Sequence, residues 1–187
     1  MFIQTEATPN PATLKFLPGE IVLSEGTMDF REETGAPNSP LAERLLAIDG
    51  VAGVFFGFDF ITITKSDAEW QHLKPEILGS IMEHFLSEAP LIVTGMPGQE
   101  IEEEGEYFDE KDADTVTAIK ELLDTRVRPA VAQDGGDITF HGFRDGVVFL
   151  RMKGACAGCP SSTATLKHGI ENLLRHFLPD VQEVRPV

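Results

Sequence analysis

The stretch TGMPGQEIEEEGEYFDEKD, Thr94 to Asp112, limits the fold more than any other, because no single core can run through it. Gly95, Pro97, Gly98 and Gly105 interrupt regular structure, and Glu102 to Glu104 repel one another. Little apolar material remains to bury. Residues 94–111 therefore read as an acidic flexible linker. It divides the 187 residues into two units, 1–93 and 112–187, each the size of one small domain.

In the first unit, FIQTEA, TLKF and EIVLS read as strands between the turn-makers Pro9-Asn10-Pro11 and Pro18-Gly19. SPLAERLLAIDG reads as a short helix, with Ser39 as cap, Pro40 in the first turn and Gly50 at the end. VAGVFF and DFITITK form a hairpin about Gly57-Phe58-Asp59. Leu73, Ile77, Ile81 and Phe85 recur every fourth residue and mark one apolar helix face from about Trp70 to Leu86. Phe55, Phe56, Phe58 and Phe60 are expected in the core, with one or two at an exposed edge. The second unit reads as a helix over Thr115 to Arg128 stopped by Pro129, and a turn at Gln133 to Asp137. Strands follow at Ile138 to Phe143 and Val147 to Met152, then a cysteine loop and a helix opened by Pro160. That helix has an inner face of Leu166, Ile170, Leu173, Leu174 and Phe177. Pro179 ends it, and VQEV adds an edge strand. The fold class is α+β, as two small α+β domains.

The formal charge is −16, which argues against general nucleic-acid binding, since phosphate contacts need a basic surface. It is spread unevenly: −9 over residues 1–93, −6 over 94–111 and only −1 over 112–187. No segment has the apolar length of a membrane span, so no membrane partner is expected. MFIQTEATPNPATLKF has neither the pattern of a secretory signal nor that of a transit peptide. The chain reads as cytoplasmic, or as the mature mitochondrial-matrix form of an organellar protein.

Both cysteines of the chain, Cys156 and Cys159, stand in KGACAGCPSS in the near-neutral last third. Ala157 and Gly158 between them let the backbone wrap closely round something held by two sulfurs. Cys159 precedes Pro160, near the positive end of a helix, where unpaired N–H groups favour thiolate over thiol. Arg151 and Lys153 add nearby positive charge. A Cys-x-x-Cys alone leaves three active readings: a thiol-disulfide redox module, a zinc-stabilised interaction module, or an iron-sulfur site. Zinc and iron-sulfur sites want four ligands, which two loops from two chains would supply. His141, His168 and His176 do not have zinc-finger spacing from the cysteines. Spacing alone does not choose between zinc and cluster.

Four segments together carry a resemblance. GACAGCPSSTATLKHGIENL (Gly154 to Leu173) and RPAVAQDGGDI (Arg128 to Ile138) resemble the NifU C-terminal-like, or Nfu, domain. TPNPATLKFLPG (Thr8 to Gly19) and GVAGVFFGFDFITITK (Gly50 to Lys65) resemble the N-terminal domain of Nfu scaffold proteins. The resemblance implies an Nfu N-terminal-like domain at 1–93 and a cluster-binding domain at 112–187. It implies an iron-sulfur scaffold or carrier, not an enzyme. Cys156 and Cys159 match the family's ligand positions for a [4Fe-4S] cluster bridging two chains, with [2Fe-2S] the other form to consider. The implied partners are a second copy of the chain when loaded, apo iron-sulfur client proteins and upstream cluster assembly factors.

Other features have plainer readings. Asp134 and Asp137 flank Gly135-Gly136 and read as a tight turn whose carboxylates bond local amides. Ser161, Ser162 and Thr163 either donate to cluster sulfurs or satisfy the first turn of the helix. Trp70 and Tyr107 read as single aromatics without a constellation. There is no Gly-rich phosphate loop and no Ser-His-Asp pattern.

Overall fold

A computed structural model describes residues 1–93, 105–157 and 160–187, and for residues 160–162 the backbone alone. The chain is α+β and divides into two compact units, Met1–Gly98 and Gln99–Val187. Among the described residues no helix is long and apolar enough to cross a membrane.

The first unit is a five-stranded antiparallel sheet with two helices. Its strands are β1 (Gln4–Ala7), β2 (Thr13–Leu17), β3 (Met28–Arg31), β4 (Val51–Phe56) and β5 (Ile61–Lys65), in the spatial order β1-β2-β5-β4-β3. The α1 helix (Pro40–Leu46) starts where the side chain of Ser39 accepts a bond from the amide of Ala42 at 3.2 Å. The longer α2 runs from Trp70 to Leu86, and its Leu73, Ile77 and Ile81 are buried. They pack in one core with Leu14, Phe16, Leu41, Leu45, Val54, Phe56, Ile61 and Ile63. Phe55, Phe56 and Phe60 are buried while Phe58, in the β4–β5 turn, is 55% exposed, so one of the four lies at an exposed edge. Trp70 is not unpartnered: its indole N–H donates to the carbonyl of Pro11 at 3.3 Å.

One expected strand is displaced. EIVLS does not form a ladder, because the amides of Val22 and Leu23 both donate to the single carbonyl of Phe58, at 2.7 and 3.2 Å. The third strand is instead Met28–Arg31, paired with β4, with Phe30 buried between Asp29 and Arg31. Its charged neighbours disguise it in the sequence.

The second unit opens with a short 3-10 turn at Glu110–Asp112 and α3 (Ala113–Leu122), followed by one wide turn at Leu123–Val127 and α4 (Arg128–Gln133). Pro129 does not end the helical path. The amide of Arg128 bonds the carbonyl of Leu123, five residues back. This extra residue puts Pro129 in the first turn of α4, where its missing N–H is no loss. Then come β6 (Gly136–Arg144) and β7 (Val147–Gly154), joined by the Asp145-Gly146 turn with both residues at positive φ. The chain ends with α5 (Pro160–Phe177) and β8 (Glu183–Pro186), which pairs in parallel with β7. Val116, Ile119, Leu123, Val127 and Val131 pack with Ile138, Leu150, Ile170, Leu174 and Val184 in the second core. Phe177 is half exposed rather than internal, with the Arg126 guanidinium 5.2 Å above its ring.

Part of the expected linker, residues 94–104, lies outside the described residues. The remainder includes a seated aromatic. The amide of Tyr107 donates to the carbonyl of His141 at 3.2 Å, and its carbonyl accepts from Phe143 at 2.9 Å. Its ring lies 5.3 Å from that of His141 and 5.5 Å from that of Phe149. A Cβ on Gly142 would come within 2.5 Å of the phenol ring, so this docking requires glycine there. Glu106 beside it pairs with Lys120 of α3. Tyr107 thus has a constellation after all, formed where β6 bulges between Phe140 and Gly142.

Buried His84 on α2 makes the first unit pH-sensitive. Burial, with the Arg44 guanidinium adding, lowers its pKa from 6.5. Below that value the unfolded chain binds a proton that the folded chain refuses, so stability falls as pH drops from about 7 toward the depressed value. His84→Leu is expected to flatten this part of the profile. The single tryptophan, Trp70, lies in this unit, so urea unfolding followed by its fluorescence reads the difference.

Candidate cluster-binding site

The site is assembled where the root of the β6–β7 hairpin meets the loop after β7. Gly136 pairs with Gly154 and Asp137 with Lys153, so the QDGGD turn lies directly across from the start of the cysteine loop. The amide of Ala155 donates to the carbonyl of Gly135 at 3.2 Å, and that of Ala157 to Gly154 at 3.1 Å. These bonds fasten both ends of the short run that carries Cys156.

Asp137 is the buried charge of the turn, its side chain 5% exposed. Arg128 reaches across from the start of α4 with a two-pronged grip, Nε to Oδ1 at 2.8 Å and Nη2 to Oδ2 at 2.9 Å. The same Oδ1 accepts the amide of Ile138 at 2.8 Å, so the expected local amide bond is present. Arg128 also bonds Asp124 at 3.0 Å. The Asp137 bond, countered by burial and helped by Asp124, raises the guanidinium pKa well above its ordinary value. The missed partner is Arg128, nine residues away, brought within reach of Asp137 by α4 and the turn that follows it.

Cys156 is 7% exposed and belongs to the second core. Its thiol is pushed up to about 12, mainly by burial, with the Asp134 and Asp137 carboxylates adding. The thiolate-favouring helix end is expected at Cys159, which lies outside the described residues; at Cys156 burial favours the thiol. The nearest charges that matter are acidic, and Lys153 stands opposite Asp137 in the ladder. Thr163 uses its hydroxyl to bond the carbonyl of Cys156 at 3.2 Å, a role neither expectation named. Cys159 lies outside the described residues, as do the side chains of Ser161 and Ser162. His141 packs on Tyr107, His176 on Phe177, and His168 is exposed on α5.

With this geometry in hand, comparison with known proteins is decisive. A family profile described as "Scaffold protein Nfu/NifU N terminal" matches residues 3–88, and one described as "NifU-like domain" matches residues 119–185. The human "NFU1 iron-sulfur cluster scaffold homolog, mitochondrial" is 50% identical over 189 residues, covering all of this chain and 72% of its own length. The chain belongs to the Nfu/NifU family. The Arabidopsis thaliana "NifU-like protein 4, mitochondrial" is 50% identical over 187 residues, and this chain spans 65% of its length. The solution structure of a NifU-like protein from Saccharomyces cerevisiae is 30% identical over 51% of this chain and 87% of its own, with a TM-score of 0.45.

Arg128→Lys keeps the charge but loses the fork. Because Arg128 is 35% exposed, the expected loss for the second unit is modest, about 1–2 kcal/mol. Amide exchange of β6 residues in the full chain measures it.

Proposed function

We propose that the chain is an iron-sulfur cluster carrier that holds a [4Fe-4S] cluster between Cys156 and Cys159 of two copies and passes it to apo-proteins. The observation that carries this reading is end-to-end similarity to a protein named as an iron-sulfur cluster scaffold, together with a Cys-x-x-Cys loop between a strand and a helix. The cluster is cargo. Each copy supplies two thiolates, so the cluster also joins the copies, and loading drives association by mass action. An incoming client thiolate displaces one cysteine thiolate from an iron at a time, with no change in the electron count. A four-cysteine site within one chain would release less readily. The mitochondrial naming of the relatives supports a mitochondrial-matrix form over a cytoplasmic one.

The unit at 1–93 is proposed to hold clients or assembly factors, and the segment 94–111 to tether it to the cluster domain at 112–187. Tethering raises the effective concentration of bound client thiols. A chain lacking residues 1–93 should therefore transfer cluster more slowly to at least one client. Equal rates with every client would remove the tethering role.

The burial of Cys156 weighs against the redox alternative, since an attacking thiol is normally exposed. The deciding experiment is anaerobic reconstitution with iron and sulfide, followed by iron, sulfide and mass analysis, beside Cys156→Ala. The expected result is a broad visible band with about four irons per dimer, lost in the variant. Failure of both proteins to bind iron, with a readily cycling dithiol, would leave a redox module. Colourless protein that keeps stoichiometric zinc in competition with iron would leave a zinc module.

A further inference from the structure

We propose that Gly136 is a positioning residue that shelters the Cys156 thiol inside the cluster-free protomer, so that Cys156 must turn out of its own core before two copies can share a cargo. The proposal rests on the carrier reading only in taking Cys156 as a ligand; the shelter itself is a property of the empty chain.

Three observations carry it. The first is placement: Cys156 is 7% exposed and packs with the second core, although a ligand shared between chains has to reach outside its own. The second is the fit at Gly136. A Cβ there would stand 2.6 Å from the Cys156 sulfur, 2.8 Å from the carbonyl oxygen of Lys153 and 3.1 Å from the amide nitrogen of Cys156. Two of these three atoms are backbone and do not rotate away. The thiol therefore occupies the space that any other residue at 136 would fill. Gly136 itself is held in the β6–β7 ladder opposite Gly154, so the floor is rigid. The third is the latch. Thr163 bonds the Cys156 carbonyl, and the Ala155 and Ala157 amides bond Gly135 and Gly154. Turning the sulfur outward exchanges these few bonds, not the sheet, so opening is local.

The shelter answers a chemical problem of an empty carrier. Two nearby exposed thiols are open to alkylation and to oxidation to a disulfide, which would cost the site both ligands. A thiol enclosed in the core reacts slowly with either. The cost is that loading waits on the loop.

The test uses the metal-free full chain carrying Cys159→Ser, which leaves Cys156 as its one thiol. Alkylation by iodoacetamide is timed by mass, the thiolate displacing iodide and its proton passing to buffer. Native Cys156 should react roughly a hundredfold slower than in denaturant, and Gly136→Ala should speed the native reaction roughly tenfold or more. Gly142→Ala is the control. It crowds the same strand against Tyr107 but not the thiol, and should leave the rate unchanged. Native and denatured rates that agree, a Gly136→Ala rate equal to the parent's, or equal acceleration by Gly142→Ala would each overturn the proposal. Should Gly136→Ala unfold, its stability cost is measured again with Cys156→Ala. The shelter predicts a smaller cost once the sulfur is gone, and an equal cost overturns it. None of these readings involves a cluster. Failed reconstitution with intact protection would sink the carrier reading alone, and the reverse would sink the shelter alone.

Discussion

The grip of Arg128 on Asp137 is the interaction on which the site depends. Asp137 is buried at the first paired positions of β6, and a charge buried there without a partner would be costly. With Arg128 in place, the carboxylate is satisfied by the fork and by the Ile138 amide. The turn then presents Gly135 and Gly136 to the cysteine loop in a fixed position. The short α4 carries Arg128 at its start, while Val127 before it and Val131 within it are buried in the second core.

The sequence exposed most of the architecture because most of it is set by local rules. Ser39 as a cap, the Gly57-Phe58-Asp59 hairpin turn and the apolar spacing of α2 each act over a few residues. What escaped was set by partners distant in sequence. EIVLS has the composition of a strand, yet Phe58 takes both of its amides. Pro129 has the appearance of a stop, yet an inserted residue upstream renders it harmless. Tyr107 has no neighbours of its own kind along the chain and gains them only where β6 bulges. At the site, the motif pointed to Cys156, but its burial depends on how the cysteine loop packs on the second core, which no local pattern shows.

Tyr107 also changes where the second unit begins. An acidic stretch poor in apolar residues reads as linker up to the first helical pattern, but Tyr107 places one backbone and one ring on the sheet before α3 starts. Its bridge is parallel to β6 and covers the stretch from His141 to Phe143 on that edge strand. Open strand edges invite pairing with other chains. For a protein proposed to join a second copy through its cysteine loops, an edge already covered leaves less scope for association in the wrong geometry.

A carrier faces opposed demands on the same sulfur. Firm delivery of a cluster needs ligands that a client thiolate can reach, and survival when empty needs ligands that oxidants cannot. A rigid exposed pair meets the first demand, and a rigid buried pair the second. A thiol seated against a glycine, on a loop held by a threonine hydroxyl and two amide bonds, can meet both in turn, provided opening is small relative to unfolding. The ladder from Gly136 to Gly154 stays closed in such a movement, so the fold's stability is not engaged each time the loop opens. The hairpin root keeps the floor fixed, and the Cys156 side chain seated on it is the part that turns.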